Sequence, residues 1–415
     1  MTDAAALARA AAETAARQSY GKLVAFLASR SRDVASAEDA LADAFALALA
    51  KWPETGVPQH PEAWLLAVAR RRATDQHRRR RTREAAIPHL RLMSDEAEEE
   101  ALREKLPDDR LGLIFACAHP AIDPGVRAPL ILQTVLGFDA ATIASAFLIS
   151  PATMSQRLVR AKSRIREAGI PFRIPDRPEL PARLSAVLEA VYAAFTEGWT
   201  DPVGTETRRR NLATEAIWLC RLVTELMPEE PEACSLLALM LYAEARREAR
   251  RSADGDFVPL SDQDMSQWDA VLIGEADALL QRASRFPGLG RYQIEAAIQS
   301  THVARRLLGK TDWGAIRQFY DALSLVAGSP VVTINRAVAI GETDGPAAGL
   351  AELDTVAEDR RIEDYQPYWA ARAGLLADLG RSGEARLAFE RAIGLERDEA
   401  VRRFLTAKKS TLAIE

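Results

Sequence analysis

Residues 148–162, Leu-Ile-Ser-Pro-Ala-Thr-Met-Ser-Gln-Arg-Leu-Val-Arg-Ala-Lys, decide the fold of the N-terminal part of this 415-residue chain. Ser150 is a good helix N-cap, and Pro151 suits the first helical position because its φ angle is already set. Apolar residues then recur at helical spacing, which predicts one buried face on a helix over residues 152–168. These apolar residues are Met154, Leu158, Ala161 and Ile165.

The residues before this helix predict a second helix and a tight turn. Leu130–Gly137 is typical of a helix that ends at a glycine C-cap. Residues 140–147 predict a short Ala-rich helix, and residues 148–151 predict the tight turn before the helix over 152–168. Together they predict a helix-turn-helix whose second helix would meet base edges with its N-terminal residues. The alternative is an ordinary corner between two helices.

A dense basic cluster lies on the N-terminal side of this motif. Residues 70–83 hold eight Arg and one Asp in fourteen positions, at the end of a helix predicted to start near Glu62. The positive electrostatic potential of such a cluster attracts polyanions. The planar Arg guanidinium can also donate two hydrogen bonds at once to a phosphate or to the edge of a guanine base. The alternative is a solvated, highly charged surface helix.

Composition predicts a mostly helical protein with two unlike parts. The chain is 48% apolar, 27% charged and only 6% aromatic, with Ala-rich strings that favour helix. Residues 1–170 carry 24 basic and 21 acidic side chains, whereas residues 171–415 carry 30 and 38. This asymmetry points to a nucleic-acid-binding part joined to an acidic part of another kind.

The sequence shows no pattern typical of a membrane protein, a secreted protein, a metal-binding protein or an enzyme. The chain has no long apolar run and no secretion signal, so we expect a cytoplasmic protein with no membrane partner. Cys117, Cys220 and Cys234 are far apart and are expected to pack between helices. The five histidines lack metal-ligand spacing, and neither a phosphate loop nor a nucleophile elbow occurs. We therefore expect no enzyme, no metal and no cofactor.

The spacing of apolar and breaker residues divides the chain into segments. The stretch 95–100 holds five acids in six positions and suggests a linker, while four prolines between 171 and 181 suggest a boundary. The predicted segments are a first domain (1–84), an acidic linker (85–106), the helix-turn-helix domain (107–170), a Pro-rich boundary (171–180) and a last helical domain (181–415).

The last domain contains a degenerate internal repeat. Within residues 368–397, aromatic and small residues occur at the spacings that pack the two helices of a tetratricopeptide (TPR) unit, and Ala337 and Leu353 are a weaker echo upstream. The residues at those spacings are Trp369, Ala373, Ala385, Phe389 and Ala392. A plain helical bundle is the alternative.

These motifs, in this order, resemble the sigma-70 family of transcription initiation factors. Residues 37–45, 64–75 and 78–81 resemble region 2 of that family, and Leu130 to Arg166 resembles region 4. A chain with only these two regions resembles the extracytoplasmic-function (ECF) group. Residues 181–415 resemble the TPR-like C-terminal extension of one subgroup.

The resemblance implies three sets of contacts. Contacts with core RNA polymerase, on the clamp helices of its β′ subunit, would be made by Asp39, Asp43, Phe45 and Trp52. Contacts with the −10 element of promoter DNA would be made by Arg70, Arg71, Arg72, Arg78, Arg79 and Arg80. Contacts with the −35 element would be made by Thr153, Ser155, Gln156, Arg157, Arg160 and Lys162.

The resemblance thus implies an all-α sigma factor that binds the β′ clamp and β subunits of core polymerase, recognises promoter DNA and catalyses nothing. The helical-repeat domain would modulate this activity, with a regulatory protein as its partner. Two alternatives remain open: a stand-alone helix-turn-helix regulator, and a scaffold built on the repeat domain.

Overall fold

A computed structural model of the chain describes residues 2–81, 109–147, 149–199 and 207–412. Within these ranges every regular element is a helix, and the one isolated β-bridge joins Arg251 and Phe257. The prediction of an all-α fold is confirmed. The predicted acidic linker over 85–106 lies outside the described residues.

The chain divides into two compact units, the first ending at Ala194 and the second starting at Phe195. The helices of the first unit are α1 (Thr2–Ser31), α2 (Val34–Thr55), α3 (Pro61–Arg81), α4 (Arg110–Cys117), α5 (Pro124–Leu136), α6 (Ala140–Ala146), α7 (Pro151–Glu167) and most of α8 (Pro181–Trp199).

Helix α2 forms where the sequence provides a cap and one apolar face. The Asp33 carboxylate accepts a hydrogen bond from the Ser36 backbone N–H at 3.1 Å and so satisfies a free donor of the first turn. Leu41, Ala48 and Trp52 lie on the buried side, whereas Leu49 is 48% exposed. The helix extends to Thr55 and holds Pro53 in its last turns.

Helices α1 and α5 approach each other closely at a glycine. An added Cβ on Gly21 would lie 2.0 Å from the carbonyl oxygen of Val135, a distance that no side chain tolerates. The adjacent Tyr20 ring lies against Gly137, which ends α5 in the left-handed conformation at φ +69°. The predicted C-cap is confirmed, and it sits at the junction of the two helices.

The structural division falls within α8, between Ala194 and Phe195, whereas the predicted Pro-rich boundary is at 171–180. Arg183, near the start of α8, is the physical reason. Its guanidinium donates hydrogen bonds to the Phe115 carbonyl at 3.0 Å and to the Glu179 carboxylate at 2.7 Å. Because Arg183 is buried, these bonds fasten the start of α8 to α4 and to the first unit.

The second unit is a succession of helices joined by short turns, apart from the longer connection over 245–269. The helices are α9 (Thr207–Leu226), α10 (Pro231–Glu244), α11 (Ala270–Ala283), α12 (Arg291–Leu308), α13 (Trp313–Val326), α14 (Pro330–Asp344), α15 (Pro346–Asp354), α16 (Gln366–Asp378), α17 (Ser382–Leu395) and α18 (Glu399–Ser410).

The residues of the predicted repeat pack as a helix pair. Ala373 on α16 and Ala385 and Ala392 on α17 are fully buried, with Phe389 in the same apolar cluster and Trp369 packed against it. Ala337 and Leu353, the predicted echo, join this cluster from α14 and α15. The helix-pair packing therefore exists, and its TPR-like class stays a prediction.

His302 on α12 predicts a measurable pH dependence of stability. Burial, and then the charges of Arg246 and Arg305, lower the pKa of His302 from 6.5 to about 4. An unfolded His titrates near 6.5, so the unfolded chain binds this proton more tightly. The stability contribution is therefore complete above about pH 6.5 and is lost as the pH falls towards 4, by about 3 kcal/mol in full.

We expect His302→Gln to reduce the loss of thermal midpoint between about pH 7 and pH 5, measured by differential scanning fluorimetry. His60→Gln makes the same substitution at an exposed position and is the matched control. An unchanged pH dependence in His302→Gln would show that this imidazole titrates alike in the folded and unfolded states.

Candidate nucleic-acid and protein interfaces

The outer face of α2 presents two carboxylates. Asp39 and Asp43 are one helical turn apart and both exposed, whereas Ala40 and Ala44 beside them are fully buried. Residues four apart on a helix are surface neighbours, so the two charges form one acidic patch on a helix whose other side is fixed in the core. Such a patch suits a basic protein surface.

The two aromatic residues predicted beside this patch differ in position. Phe45 is half-buried at the edge of the outer face, so part of its ring can meet a partner. Trp52 is 2% exposed, and its ring packs edge-on against Trp64 on α3 with centroids 5.4 Å apart. Trp52 therefore holds α2 against α3 and is not part of the surface in this structure.

The basic residues of α3 start next to an aromatic side chain of α1. The Arg70 guanidinium lies 5.1 Å from the centroid of the Phe26 ring, which Arg30 also contacts at 3.7 Å. Arg71 and Arg72 follow and are exposed. Arg78, Arg79 and Arg80 lie on α3, but their side chains are outside the described part of the structure.

Helices α6 and α7 are each started by a local cap. The Asp139 carboxylate accepts hydrogen bonds from the backbone N–H groups of Ala141 and Thr142, both at 2.9 Å. The bond from the Thr142 backbone is the main reason that the pKa of Asp139 is lowered. Ser150 caps α7 by accepting from the Thr153 backbone N–H at 3.3 Å, so the predicted N-cap is confirmed.

The buried face of α7 is the predicted one. Met154, Leu158, Ala161 and Ile165 are its buried residues. The polar residues Thr153, Gln156, Arg157 and Arg160 are exposed and, by their spacing, lie in one stripe away from that face. Ser155 is exposed but lies off the stripe.

Two comparisons bear on the relatives of the chain. An uncharacterized protein of Rhizobium meliloti (strain 1021) is 40% identical over 404 residues, which cover 96% of this chain and 94% of that protein. The family model of Sigma-70 region 2 matches residues 16–83, which include α2, α3 and the second half of α1. This match supports a sigma factor of the sigma-70 family with a role in transcription initiation.

A second family model matches a later part of the chain. It is a family of unknown function (DUF6596) and matches residues 183–284, from α8 to the start of the turn after α11. No solved structure matches the chain.

The part of the chain that matches Sigma-70 region 2 is in direct contact with the C-terminal half of α7. Lys162 Nζ lies 2.5 Å from Glu38 Oε2 on α2, with each side chain 14% exposed. Arg166 Nη1 lies 3.7 Å from Asp33 Oδ2 at the start of α2. Burial raises the pKa of Glu38 against the opposing effect of Lys162. Of the residues predicted to bind the −35 element, Lys162 is therefore already bound to region 2.

Sequence reasoning missed Glu38 and Asp33 as partners of α7. Glu38 and Lys162 are 124 positions apart, so no local periodicity connects them. The one signal in the sequence that could have indicated this contact was charge. An acidic residue lies on the flank of α2, and two basic residues, Lys162 and Arg166, lie on one flank of α7.

Among the described residues no group of three or more His, Cys, Asp or Glu side chains is placed to hold a metal ion. Cys117, Cys220 and Cys234 are buried free thiols, and burial raises the pKa of Cys117 to about 12. In the same part of the chain, no helix combines the length and apolar character needed to cross a bilayer.

Proposed function

We propose that this chain binds core RNA polymerase through the outer face of α2, contacts the −10 element with the loop 56–60 and α3, and places α7 in the major groove at the −35 element. The observation that carries the proposal is the match of Sigma-70 region 2 to a helical unit with an exposed acid pair on α2 and exposed Arg on α3.

The polar stripe of α7 supports the −35 assignment. A B-DNA major groove is about 12 Å wide and admits one helix, whose N-terminal residues then reach the base edges. Thr153, Gln156, Arg157 and Arg160 are exposed along that part of α7. Arg can hold guanine O6 and N7 through two hydrogen bonds, and Gln can do the same with adenine.

The surface after α2 supports the −10 assignment. The loop at 56–60 is largely exposed, and Arg71 and Arg72 on α3 are exposed as well. Opening a promoter requires bases to leave the stack, at a cost of a few kcal/mol that a protein pocket offsets. Arg side chains beside the extruded base would hold the backbone phosphates in position.

The contact between α2 and α7 implies that this unit opens during initiation. The −10 and −35 elements are about 25 base pairs apart, which is roughly 85 Å of B-DNA at about 3.4 Å per base pair. Lys162 and Glu38 are in hydrogen-bond contact. Region 2 and α7 therefore cannot occupy both elements while packed together, so we propose that polymerase separates α7 from region 2.

The helical-repeat unit is proposed to modulate this opening. Stacked helix pairs form extended surfaces for partner segments. Residues 171–415 are acidic, with 30 basic and 38 acidic side chains, and are therefore suited to basic surfaces. Replacing surface residues of this unit without any effect on transcription would argue against a regulatory role.

The polymerase contact is tested by reversing the acidic patch. We expect Asp39→Arg with Asp43→Arg to weaken binding of fluorescently labelled chain to core polymerase at least about tenfold, because each close charge pair contributes roughly 1.5 kcal/mol or more at an interface. Glu229→Arg with Glu248→Arg makes the same charge change on exposed residues of the second unit and should bind like the parent. Equal affinity of all three proteins would remove α2 from the polymerase interface.

A further inference from the structure

Two arginines and one tryptophan form a cationic cluster in the second unit. Trp268 lies just before α11 and is 4% exposed. The guanidinium carbon of Arg246, after α10, lies 5.9 Å from the centroid of the Trp268 ring, and that of Arg305, on α12, lies 5.5 Å from it. Two positive charges thus share one buried indole.

Neither guanidinium forms an ion pair with a carboxylate within the described part of the chain. Arg246 is 5% exposed and donates to the Tyr242 carbonyl at 3.1 Å and to the side-chain oxygen of Gln299. Arg305 donates to the carbonyls of Ser261 at 3.0 Å and Gln263 at 3.5 Å. All of these acceptors are neutral.

The local interactions do not balance the charge. Burying an uncompensated ion is strongly unfavourable, and a cation–π contact offsets only part of that cost. The carbonyl end of α10, which Arg246 contacts through Tyr242, contributes about half a negative charge. Desolvation, followed by repulsion from Arg250 and Arg305, lowers the pKa of Arg246 to about 10. The cluster therefore carries excess positive charge.

Among the described residues, two hydrogen-bond donors of this cluster have no acceptor. The indole N–H of Trp268 and the Nε–H of Arg305 are buried and make no hydrogen bond in the structure. Buried donors are nearly always satisfied, because burying an unsatisfied donor is unfavourable. An acceptor that also carried negative charge would satisfy such a donor and offset the charge of the guanidinium groups.

We propose that the cluster of Arg246, Trp268 and Arg305 binds a phosphate group, either as inorganic phosphate or as the monoester of a small molecule. A phosphate dianion matches two cations, and its oxygens accept from several N–H donors at once. A carboxylate supplies one charge and two acceptor oxygens. Arg305 is half-buried, unlike Arg246 and Trp268, and so provides the side from which the anion enters.

Isothermal titration of the full chain with inorganic phosphate, at ionic strength held constant with chloride, tests the proposal. We expect a Kd of about 1 mM or tighter and a rise in thermal midpoint. Trp268→Phe keeps an aromatic ring at this position but removes the indole N–H, and should weaken phosphate binding about fivefold or more. Arg305→Gln should weaken it at least about tenfold, whereas Arg306→Gln, on the same helix outside the cluster, should bind like the parent.

Titration with glycerol 3-phosphate and adenosine 5′-monophosphate distinguishes the sources of the phosphate. Tighter binding of a monoester than of inorganic phosphate identifies a small phosphorylated ligand, and equal or weaker binding identifies the free ion. The proposal is overturned if none of the three ligands binds the parent chain. It is equally overturned if Trp268→Phe and Arg305→Gln, each checked for helix content by circular dichroism, bind as tightly as the parent.

Discussion

Replacing Arg157 and Arg160 together by Ala should reduce promoter-specific transcription about a hundredfold. Both side chains are exposed in the polar stripe of α7, and neither packs in the core. A side chain that reads a base is worth about 1–3 kcal/mol, so two such losses multiply to this magnitude. The measurement is the initial rate of run-off transcription by core polymerase with saturating chain.

The control for this pair is Arg177→Ala, which removes an exposed positive charge from the same unit but outside α7. It should transcribe within about twofold of the parent, since isolated surface charges contribute little. A double variant at positions 157 and 160 that transcribes like Arg177→Ala would exclude α7 as the reader of the −35 element. The thermal midpoint of each variant confirms that the fold is retained.

Replacing Gly21 by Ala should separate α1 from α5 and lower the thermal midpoint of the chain. The added methyl carbon would lie 2.0 Å from the Val135 carbonyl oxygen, and this backbone atom cannot rotate away. Overpacking of this kind costs about 1–3 kcal/mol or more. Helix α1 belongs to the region 2 match, and α5 precedes α6 and α7 in the chain. We therefore expect the substitution also to weaken the contact between α2 and α7.

Gly274→Ala is the matched control, since Gly274 also lies in a helix and an added Cβ meets nothing within 4 Å. It should leave stability equal or raise it by up to about 1 kcal/mol. Amide hydrogen exchange of α5 is the decisive readout: it should accelerate in Gly21→Ala and not in Gly274→Ala. Unchanged protection of α5 in both variants would mean that α1 does not pack on α5 in solution.

Local features of the fold could be predicted because their causes are local. The inner face of α7 follows from helical spacing, and its start follows from Ser150 and Pro151. The end of α5 at Gly137 follows from the freedom of glycine to adopt a positive φ. The buried positions of α16 and α17 could likewise be predicted, because Ala373 and Phe389 keep their spacing within one short segment.

Contacts between distant residues could not be predicted, and they decide several functional points. Lys162 has the sequence context of a DNA-binding residue, yet its position against Glu38 depends on how α5 packs on α1. The family resemblance assigns Trp52 to the polymerase surface, but its ring is buried against Trp64. The cationic cluster joins Arg246, Trp268 and Arg305 from three separate segments, so only the folded chain places them together.

Run-off transcription with purified core polymerase on a library of promoter fragments, with and without the full chain, tests most directly whether the chain is a sigma factor. We expect discrete transcripts that form only when the chain is added and that map to start sites sharing −10 and −35 sequences. If the chain neither directs transcription nor binds core polymerase, it is not a sigma factor. A chain that binds promoter fragments tightly without polymerase would instead be a stand-alone regulator.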